Sequence, residues 1–371
     1  MVLGSAKERG SSPIGIDRSR RAVVSKSAET RENPAARVPR SRSPMPATLI
    51  DRALKLRLHD LMVKTRVMED QLIAMNKAGD GYFWIGGPGE EAWGVPLGLL
   101  VDKGEGPQHD YLHLHYRSSG ILVAMGVSII DSLREMRATA SDPYSRGRQF
   151  VNHYAIRAWN VIPMTPTIEV QYAMAPGTAV VQKREGGRGI SIVNGGDAGA
   201  AEGDFATCLN WSSRPGHELP VLILIGHNKY GISTPSETQW AMEDLSRRAE
   251  PFGIRRNMVD GNDPEASYAA LKEAIDYVRE TRRPFCLQGN VSRLNGHSSS
   301  SGAARVNERD CIIDYEARLA SEGVLSAEEA KRVWEGYRQE ARAALEEVRA
   351  EPFPEPTSIF EHVFYEPKQE A

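Results

Sequence analysis

Apolar residues set the first rhythm of the chain. From Asp51, the positions Leu54, Leu58, Leu61, Met68, Leu72 and Met75 fall on one face at helical spacing until Gly79 and Gly81, which predicts one long amphipathic helix. A glycine-rich turn, Gly86-Gly87-Pro88-Gly89, then leads into Glu90-Glu91 and a second helix. In the centre the rhythm changes. Short apolar runs at 190–193, 221–225, 254–259 and 285–291 are bounded by Gly and Pro and separated by helical stretches such as 201–212 and 264–280. Runs of that length between helices predict parallel strands buried on both faces. The expected fold class is therefore α/β, a doubly wound, mostly parallel sheet in three layers. After Asp310 the pattern is helical, with Ser326 and Glu329 spaced as a capping box before Val333, Tyr337, Ala341 and Leu345. No internal repeat is visible.

Residues 1–46 follow neither rhythm. They are rich in Ser, Arg and Pro, bury too little to offset chain entropy, and are expected to form a disordered tail ahead of a single body at 47–371. Arg18, Arg20, Arg21, Arg37, Arg40 and Arg42 suit a mitochondrial transit peptide, whereas Glu8, Asp17, Glu29 and Glu32 oppose one; Met45 is an alternative start. The formal net charge of -3 over 371 residues supplies no basic field for nucleic acid or an anionic membrane. No apolar run reaches the roughly 18 residues of a membrane span. The expectation is a soluble, cytoplasmic protein, or one of the mitochondrial matrix if the tail is a transit peptide. Cys208, Cys286 and Cys311 lie far apart, which argues against zinc or a disulfide framework and for buried thiols in a reducing compartment.

The candidate chemistry sits in the stretch Val193-Asn-Gly-Gly-Asp-Ala-Gly-Ala-Ala-Glu-Gly-Asp-Phe205 and in the run from Val221 to Thr234, which contains Gly226-His-Asn-Lys-Tyr230. One strand ends in small residues and Asp197, and the next ends in Asn228. The C-terminal ends of adjacent parallel strands meet at one crevice, so the two side chains can converge on one ligand. A hard divalent cation with phosphate oxygens suits that pair. Gly195, Gly196 and Gly199 let backbone approach a diphosphate, and a helix beginning near Ala200 offers free N–H groups. The plain alternative is a tight strand-to-helix connection capped by Asp197. A dinucleotide-binding oxidoreductase is excluded in detail, because these glycines do not give G-x-G-x-x-G with an acidic residue about twenty positions on.

The block resembles the thiamine-diphosphate signature, Gly-Asp-Gly followed some thirty residues later by Asn-Asn, as it occurs in the α subunits of 2-oxoacid dehydrogenases. The resemblance implies the thiamine-diphosphate-binding fold and maps Mg2+ onto Asp197, Asn228 and the carbonyl of Tyr230, with Gly196, Ala198 and Gly199 beside the cofactor. Two positions depart from the signature: Ala198 stands for its third glycine and His227 for its first asparagine. Neither removes a ligand, and a hydrogen-bonding role suits His227 better than ligation. Asp110-Tyr-Leu-His-Leu-His-Tyr-Arg-Ser-Ser-Gly120 is similar to a segment whose Tyr-Arg pair, Tyr116 and Arg117 here, contacts the diphosphate. Arginine's planar fork fits phosphate oxygens. Gly147 to His153 matches a Gly-Arg-x-x-x-x-His segment and directs His153 to the site. Thr167-Ile-Glu-Val-Gln171 resembles the segment that supports the bent cofactor, through Ile168. Arg293-Leu-Asn-Gly-His-Ser298 resembles the active-site loop, in which Arg293 binds diphosphate and His297 handles protons near working pH. Ser298 aligns with a serine that mitochondrial relatives phosphorylate; added charge beside Arg293 would disturb the loop.

The resemblance runs from about residue 50 to the end, including Glu322 to Glu329 and Pro352-Phe-Pro-Glu-Pro356. It implies oxidative decarboxylation of a 2-oxoacid with acyl transfer to the lipoyl group of an acyltransferase. In the family the glutamate that activates the cofactor comes from a separate β subunit, so a β partner in an α2β2 heterotetramer is expected. Tyr82-Phe-Trp-Ile85 before Gly86-Gly-Pro-Gly-Glu-Glu91, together with Ser233-Thr-Pro-Ser-Glu237, looks closest to branched-chain enzymes, with Phe83 and Trp84 lining an acyl pocket for a 2-oxoisovalerate-type substrate. Those side chains can equally pack beneath the loop. Pyruvate or acetoin as substrate, and a non-catalytic paralogue, are the alternatives. Asp197, Asn228, Arg117, Arg293 and His297 together argue against the last.

Overall fold

In the computed structural model, which describes residues 50–364, the leucine run folds as helix α1 (Arg52–Ala78). Asp51 caps it by accepting the Leu54 N–H at 2.8 Å, and Gly79 ends it at φ 79°, a left-handed conformation that costs glycine no Cβ clash. Helix α2 (Glu91–Leu100), strand β1 (Tyr111–His113) and helices α3 (Ser119–Met125), α4 (Ile129–Arg137) and α5 (Val170–Arg184) follow. Strand and helix then alternate as β2 (Ser191–Gly196), α6 (Gly203–Ser212), β3 (Val221–His227), a two-stranded hairpin of β4 (Tyr230–Gly231) and β5 (Thr234–Pro235), β6 (Arg255–Asp260), α7 (Pro264–Thr281) and β7 (Phe285–Asn290). Helices α8 (Cys311–Ser321) and α9 (Ala327–Ala350) close the described chain. The expected tail, 1–46, with its alternative start at Met45, lies outside the described residues.

The five main strands are all parallel, in the order β1-β2-β3-β7-β6. Alternation along β3 assigns its side chains to two cores: Leu222 and Leu224 pack with Trp93, Leu97, Ile121, Leu271 and Val278 from α2, α3 and α7. Val221, Ile223 and Ile225 pack with Tyr172, Ala175, Phe205 and Leu209 from α5 and α6. This is the expected three-layer α/β/α sandwich, each layer fixed by the period of two that a strand imposes. Outside it, α1, α4, α8 and α9 share a third core around Leu58, Met62, Leu72, Leu133, Tyr315 and Val348.

Three details differ from the sequence expectation. Strand β1 pairs with β2 over three residues, too few to make an apolar run. Strand β6 is not buried on both faces: as the last strand of the sheet it leaves Arg255, Asn257, Met258 and Asp260 exposed. The segment after β2 is a 3-10 turn at Gly199–Ala201, and the helix itself starts only at Gly203. All three cysteines are free and buried. Among the described residues no helix is long and apolar enough to cross a membrane.

Candidate active site

The order of strands reverses between β3 and β7, so their C-terminal ends, with that of β2, open one crevice where a ligand can enter. Asp197 leaves the end of β2 buried, with Oδ1 accepting the Ala198 N–H at 2.9 Å. Its Oδ2 is buried and accepts no hydrogen bond; the nearest cationic-capable atom is His227 Nε2 at 3.4 Å. Asn228, at the end of β3, accepts the Tyr230 N–H on Oδ1 at 3.2 Å and donates from Nδ2 to Glu90 Oε1 at 3.2 Å. Between them Lys229 turns the chain at φ 69°. One carboxylate oxygen, one amide oxygen and a backbone carbonyl make a hard, all-oxygen donor set. Such a set suits Mg2+ completed by phosphate oxygens and water.

Both departures from the signature have a structural account. Ala198 has φ -64° and ψ -41°, ordinary right-handed backbone, so its methyl costs nothing there. Its room comes from Gly231, where an added Cβ would stand 2.7 Å from that methyl. His227 Nδ1 lies 3.1 Å from Gln288 Nε2, and its Nε2 lies 3.3 Å from Ser236 Oγ and 3.4 Å from Asp197 Oδ2. His227 is thus a hydrogen-bonding residue beside Asp197.

A second group of residues gathers on the β1 side. Arg117 is buried; its Nη1 donates to the Gly86 carbonyl and its Nη2 to His297 Nδ1 at 3.1 Å. Arginine can only donate, so His297 Nδ1 is the acceptor and Nε2 carries the proton. Burial, then Arg117 and Arg293, hold this imidazole neutral down to about 4. His153 has the opposite tautomer. Its Nδ1 donates to the Val151 carbonyl at 3.0 Å, and its Nε2 is buried with no partner; burial lowers its pKa too. The Tyr116 ring neighbours both imidazoles, with centroids 6.2 Å from His153 and 5.9 Å from His297. Arg293 stacks over the Tyr230 ring at 4.9 Å and donates to the Ile232 carbonyl at 2.8 Å, while its Nε is buried and unpartnered. Two of the unpartnered buried atoms, Asp197 Oδ2 and Arg293 Nε, are what a cation with bound phosphate would satisfy.

Phe83 and Trp84 part company. Phe83 lies 5.2 Å from Phe150, whose ring is 6.0 Å from His153, so an aromatic wall runs from Phe83 to the imidazoles. Trp84 is fully buried and its Nε1 donates to Glu69 Oε2 at 2.9 Å; it packs beneath the wall and does not line it. Ile168 is exposed just before α5. Ser298 is 4% exposed and held by a bridge to Ile85, so a modifying enzyme reaches it only when the loop opens.

Sequence reasoning missed three participants. Phe150 lies inside a matched segment, but only the fold turns its ring toward Phe83. Glu169, at φ 66°, accepts the Gly196 N–H at 3.1 Å, and burial pushes its carboxyl up to about 8. Glu90 is likewise pushed up by burial to about 7, against the pull of Arg117. Their signal in the sequence was only acidic residues beside apolar neighbours.

The family model described as dehydrogenase E1 component matches residues 59–357. The chain is 28% identical to the 2-oxoisovalerate dehydrogenase subunit alpha of Bacillus subtilis, over 83% of this chain and 94% of that protein. It is also 28% identical to the pyruvate dehydrogenase E1 component subunit alpha of the same organism, over 82% and 80%. The human mitochondrial 2-oxoisovalerate dehydrogenase subunit alpha is 25% identical over 84% of this chain and 70% of that protein.

Proposed function

Because the chain belongs to the dehydrogenase E1 component family and is the α subunit of a thiamine-diphosphate-dependent 2-oxoacid dehydrogenase, we propose that its substrate is a branched-chain 2-oxoacid of the 2-oxoisovalerate type. The observation that carries this reading is the aromatic wall of Phe83 and Phe150 leading to His153. Two phenyl rings present enough apolar surface to enclose an isopropyl group, at about 0.8 kcal/mol per buried methylene. Equal identity to the branched-chain and pyruvate relatives does not separate the two substrates.

Thiamine diphosphate, when bound, supplies the nucleophilic carbon and the electron sink for decarboxylation. The protein supplies position and protons. Asp197, Asn228 and the Tyr230 carbonyl would hold Mg2+, and Arg293, with Arg117 and Tyr116, would bind the diphosphate. Ile168 would support the cofactor from the exposed start of α5, and Gly196 and Ala198 would lie beside its phosphates, whereas the space at Gly199 is taken by the Glu169 side chain. His297, with its proton on Nε2, is set to donate; His153, with a bare Nε2, is set to accept. A donor and an acceptor beside one tyrosine suit acyl transfer to a lipoyl sulfur, which needs a proton delivered as the disulfide opens.

The catalytic unit is completed by a β subunit, in an α2β2 assembly, and the acyl group passes to a lipoyl-bearing acyltransferase. Met174, Gly177 and Val181 support the first partner: they lie along one exposed face of α5, and a Cβ added to Gly177 would meet nothing within 4 Å. The test is decarboxylation of 3-methyl-2-oxobutanoate against pyruvate by the α chain co-expressed with its β partner, with thiamine diphosphate and Mg2+. The expected kcat/KM ratio favours the branched acid by about tenfold or more, the scale on which apolar pockets discriminate. A preference for pyruvate would reassign the substrate and keep the chemistry.

A further inference from the structure

Glu90 stands just ahead of α2, at the end of the glycine-rich turn, and is 7% exposed. Its Oε1 accepts the Asn228 side-chain N–H at 3.2 Å and lies 3.8 Å from Arg117 Nε. A side-chain amide has two ends of nearly equal size and opposite chemistry; only the oxygen can bind a cation. As the acceptor of this bond, Glu90 Oε1 takes the amide nitrogen and turns the oxygen the other way. Asn228 Oδ1 then faces the Tyr230 N–H at 3.2 Å with a further lone pair free. We propose that Glu90 is a positioning residue that decides which end of the Asn228 amide faces the metal. The proposal rests on the reading of Asn228 as a ligand and deepens it. Without Glu90 only the Tyr230 N–H holds the amide in this sense, and a half-turn that offers N–H groups to the cation breaks that one bond at little steric cost.

The role separates from ordinary packing through a symmetrical ligand. Aspartate at 228 has an oxygen at either end and no wrong face, and it would repel Glu90. Orientation by Glu90 then has no value and its removal should help. The measurement is Mn2+ binding by electron paramagnetic resonance to the full chain in complex with its β partner and thiamine diphosphate, with folding checked by circular dichroism. Glu90→Met is expected to weaken Mn2+ binding by about tenfold or more, the usual scale for the residues behind metal ligands. Glu90→Gln, which keeps an acceptor oxygen, should stay within about threefold of the parent, a small effect on that same scale. In an Asn228→Asp background, Glu90→Met should leave binding unchanged or tighten it. Equal weakening in both backgrounds would mean a merely structural role and overturn the proposal. Asn228→Ala with parental Mn2+ affinity would overturn the ligand reading itself, whereas loss in Asn228→Ala with none in Glu90→Met would overturn the role of Glu90 alone.

Discussion

His113 on β1 lies 1% exposed with Nε2 on Thr178 Oγ1 at 2.8 Å and a buried, unpartnered Nδ1. Burial alone lowers its pKa to about 4 from the ordinary 6.5. Between those pH values the unfolded chain holds a proton that the folded chain refuses. The stability linked to this group is complete above about pH 6.5 and is lost as pH falls toward 4. His113→Gln removes that titration, so its melting temperature should fall less steeply than the parent's between pH 6.5 and 4. Parallel curves for the two proteins would contradict this account. The imidazoles of the site obey the same physics with a different outcome, because their neighbours also fix a tautomer. Which nitrogen carries the proton was beyond the reach of the sequence. It follows from Arg117, a donor only, and from the Val151 carbonyl, an acceptor only.

The elements that could be read beforehand are those whose signal is local. Helix α1 declared itself through six apolar positions and a terminal glycine, and α9 through its capping box. Ser326 Oγ accepts the Glu329 N–H at 3.2 Å and Glu329 Oε2 accepts the Ser326 N–H at 2.8 Å. Ser326→Ala should cost about 1 kcal/mol, the usual worth of such a cap, measured by urea unfolding. An unchanged midpoint would show that packing against α1 and α4 holds the helix without it. Elements governed by distant partners were hidden. Strand β1 exists because β2 lies beside it, the open face of β6 follows from its place at the sheet edge, and the 3-10 turn before α6 leaves no mark in composition. The same division holds at the site: Asp197 and Asn228 were legible from spacing along adjacent strands, whereas Phe150, Glu169 and Glu90 gain their meaning only from what folds against them.

For the whole molecule, the bare side of α5 predicts where association can be broken without harm to the fold. Gly177→Leu places a branched side chain where the isolated chain has open space, and leucine is the better helix former by about 1 kcal/mol. The variant should stay folded by circular dichroism and fail to co-purify with the β subunit. Co-purification at parental yield would put that interface elsewhere. The tie between the loop and the wall has another outcome. The Ser299 N–H donates to the Trp84 carbonyl at 2.8 Å, the Trp84 N–H donates to Ser299 Oγ at 3.1 Å, and Ile85 bridges Ser298. The strip behind Phe83 and the strip that carries His297 are thus stitched into one piece. An acyl chain too bulky for the wall would push that piece and shift the proton donor with it. Substrate size would then be sensed as turnover and not as occupancy: a poorly fitting acid would bind, and wait.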